Sequence, residues 1–289
     1  MSKVETAGPK LEGMTYRIVK PLGNGAGSSI FQINDTRNGG YYALKVVKRQ
    51  EPEDDVYVAQ ALHEFEVAQR LGHANILKIH DCRAKRAWFK TTGVELLMEY
   101  VDGRTLDDLE APTRGQLVLI FIQVASALAH MHRRGVYHGD IKPSNLMVSK
   151  GGTVKVIDFG TAWIKGEPKE RIQGTPQYMA PEQLAEKMVD DRTDIYNFGA
   201  TMYKLITGHF ANLGMPSGGE LGHRAKPTPP VQRDRNIPGT LSEVIMACLE
   251  PSPDRRPAGL AEIKHKLEAV AKYMGVKPDD LKTLDDEDE

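Results

Sequence analysis

Apolar and polar positions follow different patterns on the two sides of residue 103, and the difference predicts two structural regions. Before it, short runs rich in β-branched and aromatic residues are separated by glycines and polar turns, which is typical of strands. The predicted strands cover residues 16–19, 28–34, 41–47, 76–80 and 94–100. Residues 56–71 instead carry apolar side chains at helical spacing and predict one helix that ends before Gly72. A solvated hairpin turn is expected at four basic residues, Arg83, Lys85, Arg86 and Lys90.

Beyond residue 103 the pattern is mainly helical. Residues 113–134 carry large apolar side chains along one face, as a helix that packs on a core does. Further helices are predicted at residues 193–207, 240–249 and 258–273. Residues 210–239 are rich in glycine and proline and predict an irregular connection with one short helix.

These elements predict an α+β fold, with a small strand-rich lobe followed by a larger, mainly helical lobe. We expect a flexible lead at residues 1–13, one domain over residues 14–272 and an acidic, disordered tail at residues 273–289. Within the domain, the small lobe is predicted at residues 14–100 and the large lobe at residues 104–272. A ligand cleft between two lobes is a common arrangement.

The composition narrows the classes of function. A hydrophobic content of 40% is enough for a sizeable core, and 38 Lys and Arg against 39 Asp and Glu leave no basic excess for nucleic acid or anionic membranes. We find no apolar run of about 18 residues that would span a membrane, and residues 1–10 lack the apolar part of a secretory signal. The two cysteines lie far apart and indicate neither a disulfide framework nor a zinc site. We therefore expect a cytoplasmic protein without nucleic-acid binding or membrane insertion, and the oligomeric state is left open.

The candidate chemistry lies in two short segments. Residues 138–145 read HGDIKPSN and carry side chains whose spacing does not fit one helical face, Asp140, Lys142 and Asn145, so a loop is expected. Residues 158–160 read DFG and follow a short apolar run that predicts a strand. Two groups that can hold Mg²⁺, a separate carboxylate that can face a hydroxyl and a lysine that offsets phosphate charge are the components of phosphoryl transfer.

These two segments resemble the catalytic loop and the metal-binding motif of protein kinases. The resemblance extends over about residues 16–271, with the motifs in the order that the family has, and the chain is identified as a member of the protein kinase superfamily. It implies a bilobal protein kinase-like fold with an antiparallel β-sheet and one helix in the small lobe. Lys142 followed by Pro143 favours the serine/threonine branch, and the compact form is similar to bacterial eukaryote-like kinases.

The resemblance also implies roles for the residues of the catalytic loop, residues 138–145. Asp140 would orient the substrate hydroxyl and accept its proton, and Lys142 would offset the charge of the transferring phosphoryl group. Asn145 and Asp158 would be the metal ligands, with Mg²⁺ as the expected ion and Mn²⁺ as an alternative. The implied cofactor is ATP, and the implied partners are protein substrates that carry serine or threonine hydroxyls.

A phosphate-binding lysine is implied in the small lobe. Lys45 lies in an otherwise apolar predicted strand and would hold the nucleotide phosphates while pairing with a helix glutamate. Glu64 and Glu66 are the candidates for that partner. Glu64 is favoured because the family places its glutamate at this distance before the turn at residues 73–76.

The nucleotide is expected to meet two further parts of the small lobe. Met98 would guard the back of the adenine pocket, while Glu99 and Val101 would lie in the hinge that binds adenine through its backbone. The other residues expected near the nucleotide are Leu22, Gly23, Asn24, Gly25, Ser28, Ile30 and Ala43. Ser28 stands where the family has the third glycine of its phosphate-binding loop, so the contacts of this loop with phosphate are expected to differ in detail.

Motifs further along the chain imply peptide binding. Residues 174–182 read GTPQYMAPE and resemble the segment that receives the peptide substrate; we call them the peptide segment. Thr175 would bridge two residues of the catalytic loop, and Asp194, predicted to open a helix, would anchor that loop. Arg256 would pair with Glu182. A helix cap and a surface charge are the alternatives for Asp194 and Arg256, and the order of the motifs disfavours them.

One departure from the family pattern concerns how the activity would be regulated. Gly139 stands where the family commonly has an arginine that grips a phosphate on the activation loop. The hydroxyl residues between residues 160 and 181 are Thr161, Thr175 and Tyr178, and Thr175 already has an implied structural role. Because the arginine and its usual phosphate site are missing together, we expect activity without phosphorylation of the activation loop.

Two other functions stay open. The HGD spelling also occurs in kinase-related enzymes that phosphorylate small molecules such as aminoglycosides, although the DFG motif, the peptide segment and Arg256 favour a protein substrate. A catalytically inactive pseudokinase scaffold is the other alternative, although the residues implied for catalysis and metal binding are all present. A separate hypothesis is that the acidic tail inhibits the enzyme by folding onto basic surface near the cleft.

Overall fold

The computed structural model describes residues 9–25, 27–87, 90–167, 174–185, 190–211 and 226–285. The chain divides into two compact units. The small unit runs up to Gly72 and includes Leu77–Val101, and the large unit comprises His73–Ile76 and everything from Asp102 onward. The antiparallel sheet of the first unit and the mainly helical second unit confirm the predicted α+β class.

The small unit is built on a five-stranded antiparallel sheet with the strand order β1-β2-β3-β5-β4. The strands are β1 (Tyr16–Gly25), β2 (Ser28–Asp35), β3 (Tyr41–Lys48), β4 (Ile79–Ala87) and β5 (Lys90–Glu99). Helix α1 (Asp55–Gln69) follows β3 and buries an apolar face that includes Val58 and Val67. The short β-rich runs thus predicted all five strands, although β1 and β4 run well beyond their predicted ends and β4 begins only at Ile79.

The N-terminal lead is ordered closer to the terminus than expected. Leu11 is buried in a cluster with Ile33, Leu44 and Leu97, and its backbone N–H donates to Asp81 Oδ2 at 2.7 Å. Burial of this one leucine fixes the chain ahead of β1, so the prediction of flexibility is wrong for residues 9–13. Residues 1–8 lie outside the described residues.

The basic residues near the β4–β5 connection are more than a solvated turn. Glu95 on β5 is only 4% exposed, and its carboxylate pairs with both Arg83 and Lys85 on the neighbouring strand β4. A buried carboxylate needs such partners, because an unpaired charge in the interior is costly. The prediction of a purely solvated role is therefore wrong for Arg83 and Lys85.

The large unit contains six α-helices and five short strands within the described ranges. The helices are α2 (Arg114–Arg133), α3 (Pro181–Leu184), α4 (Asp191–Thr207), α5 (Pro230–Arg233), α6 (Gly239–Cys248) and α7 (Leu260–Met274). The strands are β6 (Gly103–Thr105), β7 (Val136–Tyr137), β8 (Leu146–Ser149), β9 (Val154–Val156) and β10 (Trp163–Ile164). They form two small sheets, β6-β8-β9 and β10-β7. The predicted irregular connection holds the short helix α5, and its residues 212–225 lie outside the described residues.

Helix α2 forms the centre of this unit. It begins with a capping box in which Gln116 Oε1 accepts from the Thr113 N–H at 2.8 Å and Thr113 Oγ1 accepts from the Gln116 N–H at 3.3 Å. Within the described residues, α2 is the one helix that is long and apolar enough to cross a membrane by length and composition alone. However, 72% of that apolar window is buried inside the unit, as in the core helix of a folded domain.

Helix α4 begins earlier than the sequence suggested. Asp190 caps it by accepting from the Arg192 N–H at 2.9 Å, so Asp194 lies in the first turn and does not open the helix. Gly208, with φ of 75°, ends it in the left-handed conformation. Phe198 packs edge-on against Phe121 of α2 with ring centroids 5.0 Å apart, which fixes α4 against the core.

The predicted disordered tail is wrong for its first part. After α7 ends at Gly275, Pro278–Asp285 forms a 3₁₀ helix in which Leu281 is 2% exposed. Gln116 of α2 donates to the Asp280 carbonyl at 3.0 Å and holds this helix in place. The acidic composition indicated disorder, but the burial of Leu281 suffices to order the segment. The hypothesis of an inhibitory tail therefore rests on residues 286–289, which lie outside the described residues.

Candidate active site

Lys45 lies in the middle of the sheet of the small unit. It is on β3, where it pairs with Ile30 of β2 on one side and Leu96 of β5 on the other. Its Nζ is 2.6 Å from Oε2 of Glu64, a buried residue of α1. Glu66, the other candidate, forms an exposed pair with Arg70 at 2.9 Å along the same helix. The structure thus brings Glu64 and not Glu66 to Lys45.

The predicted phosphate-binding loop is the turn between β1 and β2. Cross-strand pairing places Gly23 opposite Ile30, Asn24 opposite Ser29 and Gly25 opposite Ser28, next to the exposed Leu22. Ala26 at the tip lies outside the described residues.

Gly27 is the third glycine of this turn and directly precedes Ser28. Gly27 has φ of 66°, and a Cβ there would come within 2.3 Å of the ring of Tyr57 on α1. The glycine demanded by this close approach is therefore one position earlier than the family pattern places it.

The predicted adenine-binding residues lie along β3 and β5. Ala43 is buried opposite Met98, which is also buried, and Tyr42 pairs with Glu99. The Glu99 carboxylate accepts from the Lys78 N–H at 2.8 Å, and the Glu99 N–H donates to the Lys78 carbonyl at 2.9 Å. Val101 is half-buried at the end of the small unit. The binding roles of these residues stay predictions.

The catalytic loop and the DFG motif are joined in the large unit. The ring of the fully buried His138 lies 3.1 Å from the Ile157 carbonyl through Nε2, and the Ile157 N–H donates to the Asn145 carbonyl at 3.0 Å. Phe159 is buried and packs edge-on against the His138 ring at 6.0 Å. These contacts hold Asp158 beside the catalytic loop.

Asp158 adopts a strained backbone conformation. Its φ is 65°, in the left-handed region that few residues other than glycine adopt, and its Oδ1 accepts from the Gly160 N–H at 3.3 Å. Such strain persists only where the surroundings enforce it, and it clusters at functional sites. The burial of Phe159 at the next position holds the Asp158 backbone in this conformation.

The predicted residues of the catalytic loop converge on Asp140. Lys142 Nζ lies 2.8 Å from Asp140 Oδ2 and donates to Thr175 Oγ1 at 2.8 Å. The Thr175 N–H donates to Asp140 Oδ1 at 2.8 Å, so Thr175 bridges both residues, as the resemblance implied. Asn145 donates through Nδ2 to the Asp140 carbonyl at 2.8 Å, a bond that leaves its Oδ1 as the atom for a cation.

The donor set fits a magnesium ion that is shared with phosphate. In the residues that the structure describes, no three His, Cys, Asp or Glu side chains cluster as a protein-only metal centre. Asn145 and Asp158 offer one amide oxygen and one carboxylate, and Mg²⁺ is usually held by one or two carboxylates together with substrate phosphates. The residues present therefore suit a nucleotide-bound ion.

Asp194 anchors the backbone of the catalytic loop. This fully buried carboxylate accepts from the N–H groups of His138 and Gly139 at 2.8 and 2.7 Å, and from His132 Nε2 at 2.8 Å. Burial alone would raise the pKa of the Asp194 carboxyl, but the hydrogen bonds and charges around it, led by His132, outweigh burial and lower the pKa below its ordinary value. The carboxylate therefore stays ionised and keeps its acceptors in use.

Two polar residues on the same face of α4 escaped the sequence analysis. Asn197 and Thr201 follow Asp194 at helical spacing and are both buried. Thr201 Oγ1 donates to the Ile141 carbonyl at 2.8 Å, and Asn197 reaches the peptide segment. Polar residues spaced i, i+3 and i+7 on the buried face of α4 were the feature of the sequence that could have predicted these contacts.

The far end of the peptide segment is fixed by an ion pair. Arg256 is 5% exposed, and its two terminal nitrogens donate to the Glu182 carboxylate at 2.6 and 2.9 Å. Its remaining donors reach the backbone carbonyls of Glu250 and Arg192, both at 2.8 Å. The predicted partners are thus together, and the bidentate geometry specifies one arrangement.

This geometry agrees with comparisons to known proteins. The family model described as the protein kinase domain matches residues 16–267. The chain therefore belongs to the protein kinase superfamily, which uses ATP and a divalent metal. The resemblance drawn from the catalytic loop and the DFG motif is confirmed.

Curated relatives are named serine/threonine-protein kinases. The chain is 32% identical to a probable serine/threonine-protein kinase of Clostridium acetobutylicum over 265 residues, which is 88% of this chain and 40% of the relative. It is 32% identical to PknB of Mycolicibacterium smegmatis over 288 residues, 94% of this chain and 45% of that protein. Pkn3 of Myxococcus xanthus is also 32% identical, over 89% of this chain and 50% of its own length. The chain thus spans half or less of the length of these relatives.

Proposed function

We propose that this chain transfers the γ-phosphoryl group of ATP to serine and threonine hydroxyls of proteins, with Mg²⁺ as the metal and Mn²⁺ as a substitute. The observation that carries the proposal is the position of Lys142 Nζ, 2.8 Å from Asp140 Oδ2 and 2.8 Å from Thr175 Oγ1. One lysine therefore joins a buried carboxylate to the segment that resembles the peptide platform of protein kinases. The names of the relatives support the same activity.

The large unit would supply the chemistry at the acceptor hydroxyl. Asp140 orients the hydroxyl and accepts its proton, and its own position is fixed by the Thr175 N–H. Lys142 offsets negative charge on the transferring group. Asn145 and Asp158 would hold the metal, which screens phosphate charge when it is bound.

The small unit would bind the nucleotide. Lys45, held by Glu64 at 2.6 Å, is positioned as the phosphate-binding cation. The residues proposed to contact the rest of ATP are Leu22, Gly23, Asn24, Gly25, Ser28, Ile30, Ala43, Met98, Glu99 and Val101. The associated predictions are a kinase domain over residues 14–272, protein substrates, and a cytoplasmic location without nucleic-acid binding or membrane insertion.

A labelled-phosphate assay separates this function from its alternatives. The purified chain with Mg·ATP labelled at the γ-phosphate is expected to label a generic basic protein, and acid hydrolysis should release phosphoserine and phosphothreonine. Label on an aminoglycoside instead of protein would favour the small-molecule phosphotransferase. Binding of Mg·ATP with no transfer to either acceptor would favour the pseudokinase scaffold.

The activity is further proposed not to need a phosphorylated activation loop. Gly139 provides no guanidinium for a phosphate, and Thr175 Oγ1 is engaged by Lys142. Tyr178 is buried, and burial, with the nearby carboxylates of Asp107 and Asp140, raises the pKa of its hydroxyl to about 12. Of the three hydroxyl residues, Thr175 is thus already engaged by Lys142 and Tyr178 is buried.

Phosphatase treatment of the freshly purified protein is expected to leave its rate of phosphate transfer unchanged. Mass spectrometry before and after treatment would show whether any phosphate was removed. A collapse of activity that follows loss of phosphate from Thr161, Thr175 or Tyr178 would contradict the proposal.

A further inference from the structure

Two buried amide side chains join three parts of the large unit. Gln183 on α3 and Asn197 on α4 are each 1% exposed. Gln183 Nε2 donates to the Gly139 carbonyl at 2.7 Å, and its Oε1 accepts from the Ala180 N–H at 3.0 Å. Asn197 Nδ2 donates to Gln183 Oε1 at 2.9 Å and to the Tyr178 carbonyl at 2.8 Å. The catalytic loop, the peptide segment and α4 are therefore connected through neutral groups.

The surroundings fix the orientation of both amides. Turning Gln183 around would place its oxygen against the Gly139 carbonyl, and turning Asn197 around would face its oxygen toward two acceptors. In the observed orientation, Asn197 Oδ1 is buried and has no hydrogen-bond partner among the described residues. An unsatisfied buried acceptor is unfavourable, so the donor side of Asn197 must contribute enough to outweigh it.

Gly139 is the position where these contacts matter. Both of its backbone groups are engaged, the N–H by Asp194 at 2.7 Å and the carbonyl by Gln183 at 2.7 Å. Its φ of 74° lies in the left-handed region that glycine adopts most easily. In the family pattern an arginine here reaches a phosphate on the activation loop. In this chain the backbone of the same residue reaches an amide.

We propose that Gln183 and Asn197 are positioning residues that hold the peptide segment against the catalytic loop, in place of a phosphorylated activation loop. This inference rests on the proposed kinase function and deepens it, because it describes how the site is regulated. The link contains no group that another enzyme adds or removes. The peptide segment is therefore held in place permanently.

The link should act on peptide phosphorylation more than on nucleotide binding. Ala180 and Tyr178 follow Thr175 closely, and the Thr175 N–H contacts Asp140 at 2.8 Å. Releasing the segment would displace Thr175 from Asp140 and Lys142. The hydrogen bonds of this network join residues of the large unit.

Gln183→Leu tests the inference on phosphatase-treated protein. The variant keeps the volume of the side chain but leaves the Gly139 carbonyl without its donor. We expect kcat/KM for a peptide substrate to fall by about 5- to 100-fold, since this range corresponds to a buried polar group left unpaired. The KM for ATP should stay near that of the parent. Asn197→Ala removes the second amide without weakening the helix, because alanine has the higher helix propensity, and it should shift the same parameters in the same direction.

Gln183→Glu adds a readout that a merely structural role would not give. An ionised carboxylate has no donor for the Gly139 carbonyl, whereas a protonated one has an O–H that can donate. Burial favours the protonated form, so relative activity of this variant should rise as the pH is lowered. The charged groups on the elements joined here are the Asp140–Lys142, Asp194–His132 and Glu182–Arg256 pairs. They are shared with the parent and with Gln183→Leu, whose pH profiles provide the baseline.

Thr207→Ala is the matched control. Thr207 also lies on α4, but its hydroxyl donates to the Tyr203 carbonyl at 2.7 Å near the helix end, away from the peptide segment. Kinetic constants of this variant should equal those of the parent. Amide hydrogen exchange over residues 174–182 should be faster in Gln183→Leu and Asn197→Ala than in the parent, and unchanged in Thr207→Ala.

The outcomes separate the inference from the proposed function. Parent-like kinetics and parent-like exchange in both the Gln183 and Asn197 variants would overturn the inference while the kinase function stands. A Gln183→Glu pH profile identical to that of the parent would also overturn it. If the parent transfers no phosphate, the proposed function fails, and the exchange rates of residues 174–182 still decide whether the amides hold the segment.

Discussion

Asp140→Asn is expected to lower the rate of phosphate transfer to a protein substrate by about 10²- to 10⁴-fold, the range typical for loss of a general base. Asparagine has nearly the same shape and still offers one oxygen to the Thr175 N–H, now 2.8 Å from Asp140 Oδ1. It cannot take up the proton of the acceptor hydroxyl, and it removes the negative charge next to Lys142. The measurement is single-turnover incorporation of labelled phosphate at saturating Mg·ATP.

Asp158→Ala should give a comparable loss for a different reason. It removes the carboxylate proposed to hold the metal, so raising the Mg²⁺ concentration should restore part of its activity but none of that of Asp140→Asn. Asp279→Asn is the matched control, because this carboxylate pairs with Lys282 and its side chain is 83% exposed. Equal phosphate incorporation by the parent and by both active-site variants would show that the activity belongs to a contaminant.

The sequence identified the candidate site residues more completely than it predicted the contacts that hold them. Glu64 could be assigned to Lys45 in advance because the family places its glutamate at this distance before the turn at residues 73–76, which favoured it over Glu66. Asp140 and Asp158 were identified in the same way, from two motifs that resemble the catalytic loop and the metal-binding motif of the family. Local pattern supplied the candidates, and the resemblance supplied the choice among them.

The positioning contacts could not be predicted in this way. Gln183 bonds to Gly139, more than forty positions earlier in the chain, and such side-chain to backbone bonds leave no periodic signal in the sequence. Leu281 illustrates the same limit, because one buried leucine ordered a segment whose composition indicated disorder. Polar residues in the apolar helix α4 were the signal that could have been used, since a buried polar group must find a partner.

The ion pair between Arg256 and Glu182 also fixes the end of the peptide segment to the core of the large unit. Arg256 contacts the Tyr196 ring at 4.9 Å in addition to Glu182, and thereby joins α4 to the peptide segment. The amides at Gln183 and Asn197 hold the adjoining turn. The segment is thus fixed at two neighbouring points, one charged and one neutral, and loss of either should affect stability and activity in different proportions.

Arg256→Ala is expected to destabilise the fold by about 3–5 kcal/mol, because removing one member of a buried ion pair leaves the other charge unpaired. The carbonyls of Glu250 and Arg192 would lose this donor, and the Glu182 carboxylate would lose both guanidinium bonds and keep the Thr193 hydroxyl at 3.1 Å. For a chain of this size such a loss lowers the melting temperature by on the order of 10 °C. Thermal and urea unfolding of the parent and the variant measure both quantities.

Two further variants separate pairing from the mere presence of arginine. Arg255→Ala alters the exposed neighbour and should leave stability nearly unchanged. The double variant Arg256→Met with Glu182→Gln should be more stable than Arg256→Ala alone, because neither position then carries a buried unpaired charge. The single variants Arg256→Met and Glu182→Gln complete the comparison. If the double variant is destabilised by the sum of their two losses in unfolding free energy, the two side chains act independently, and the ion pair does not position the peptide segment.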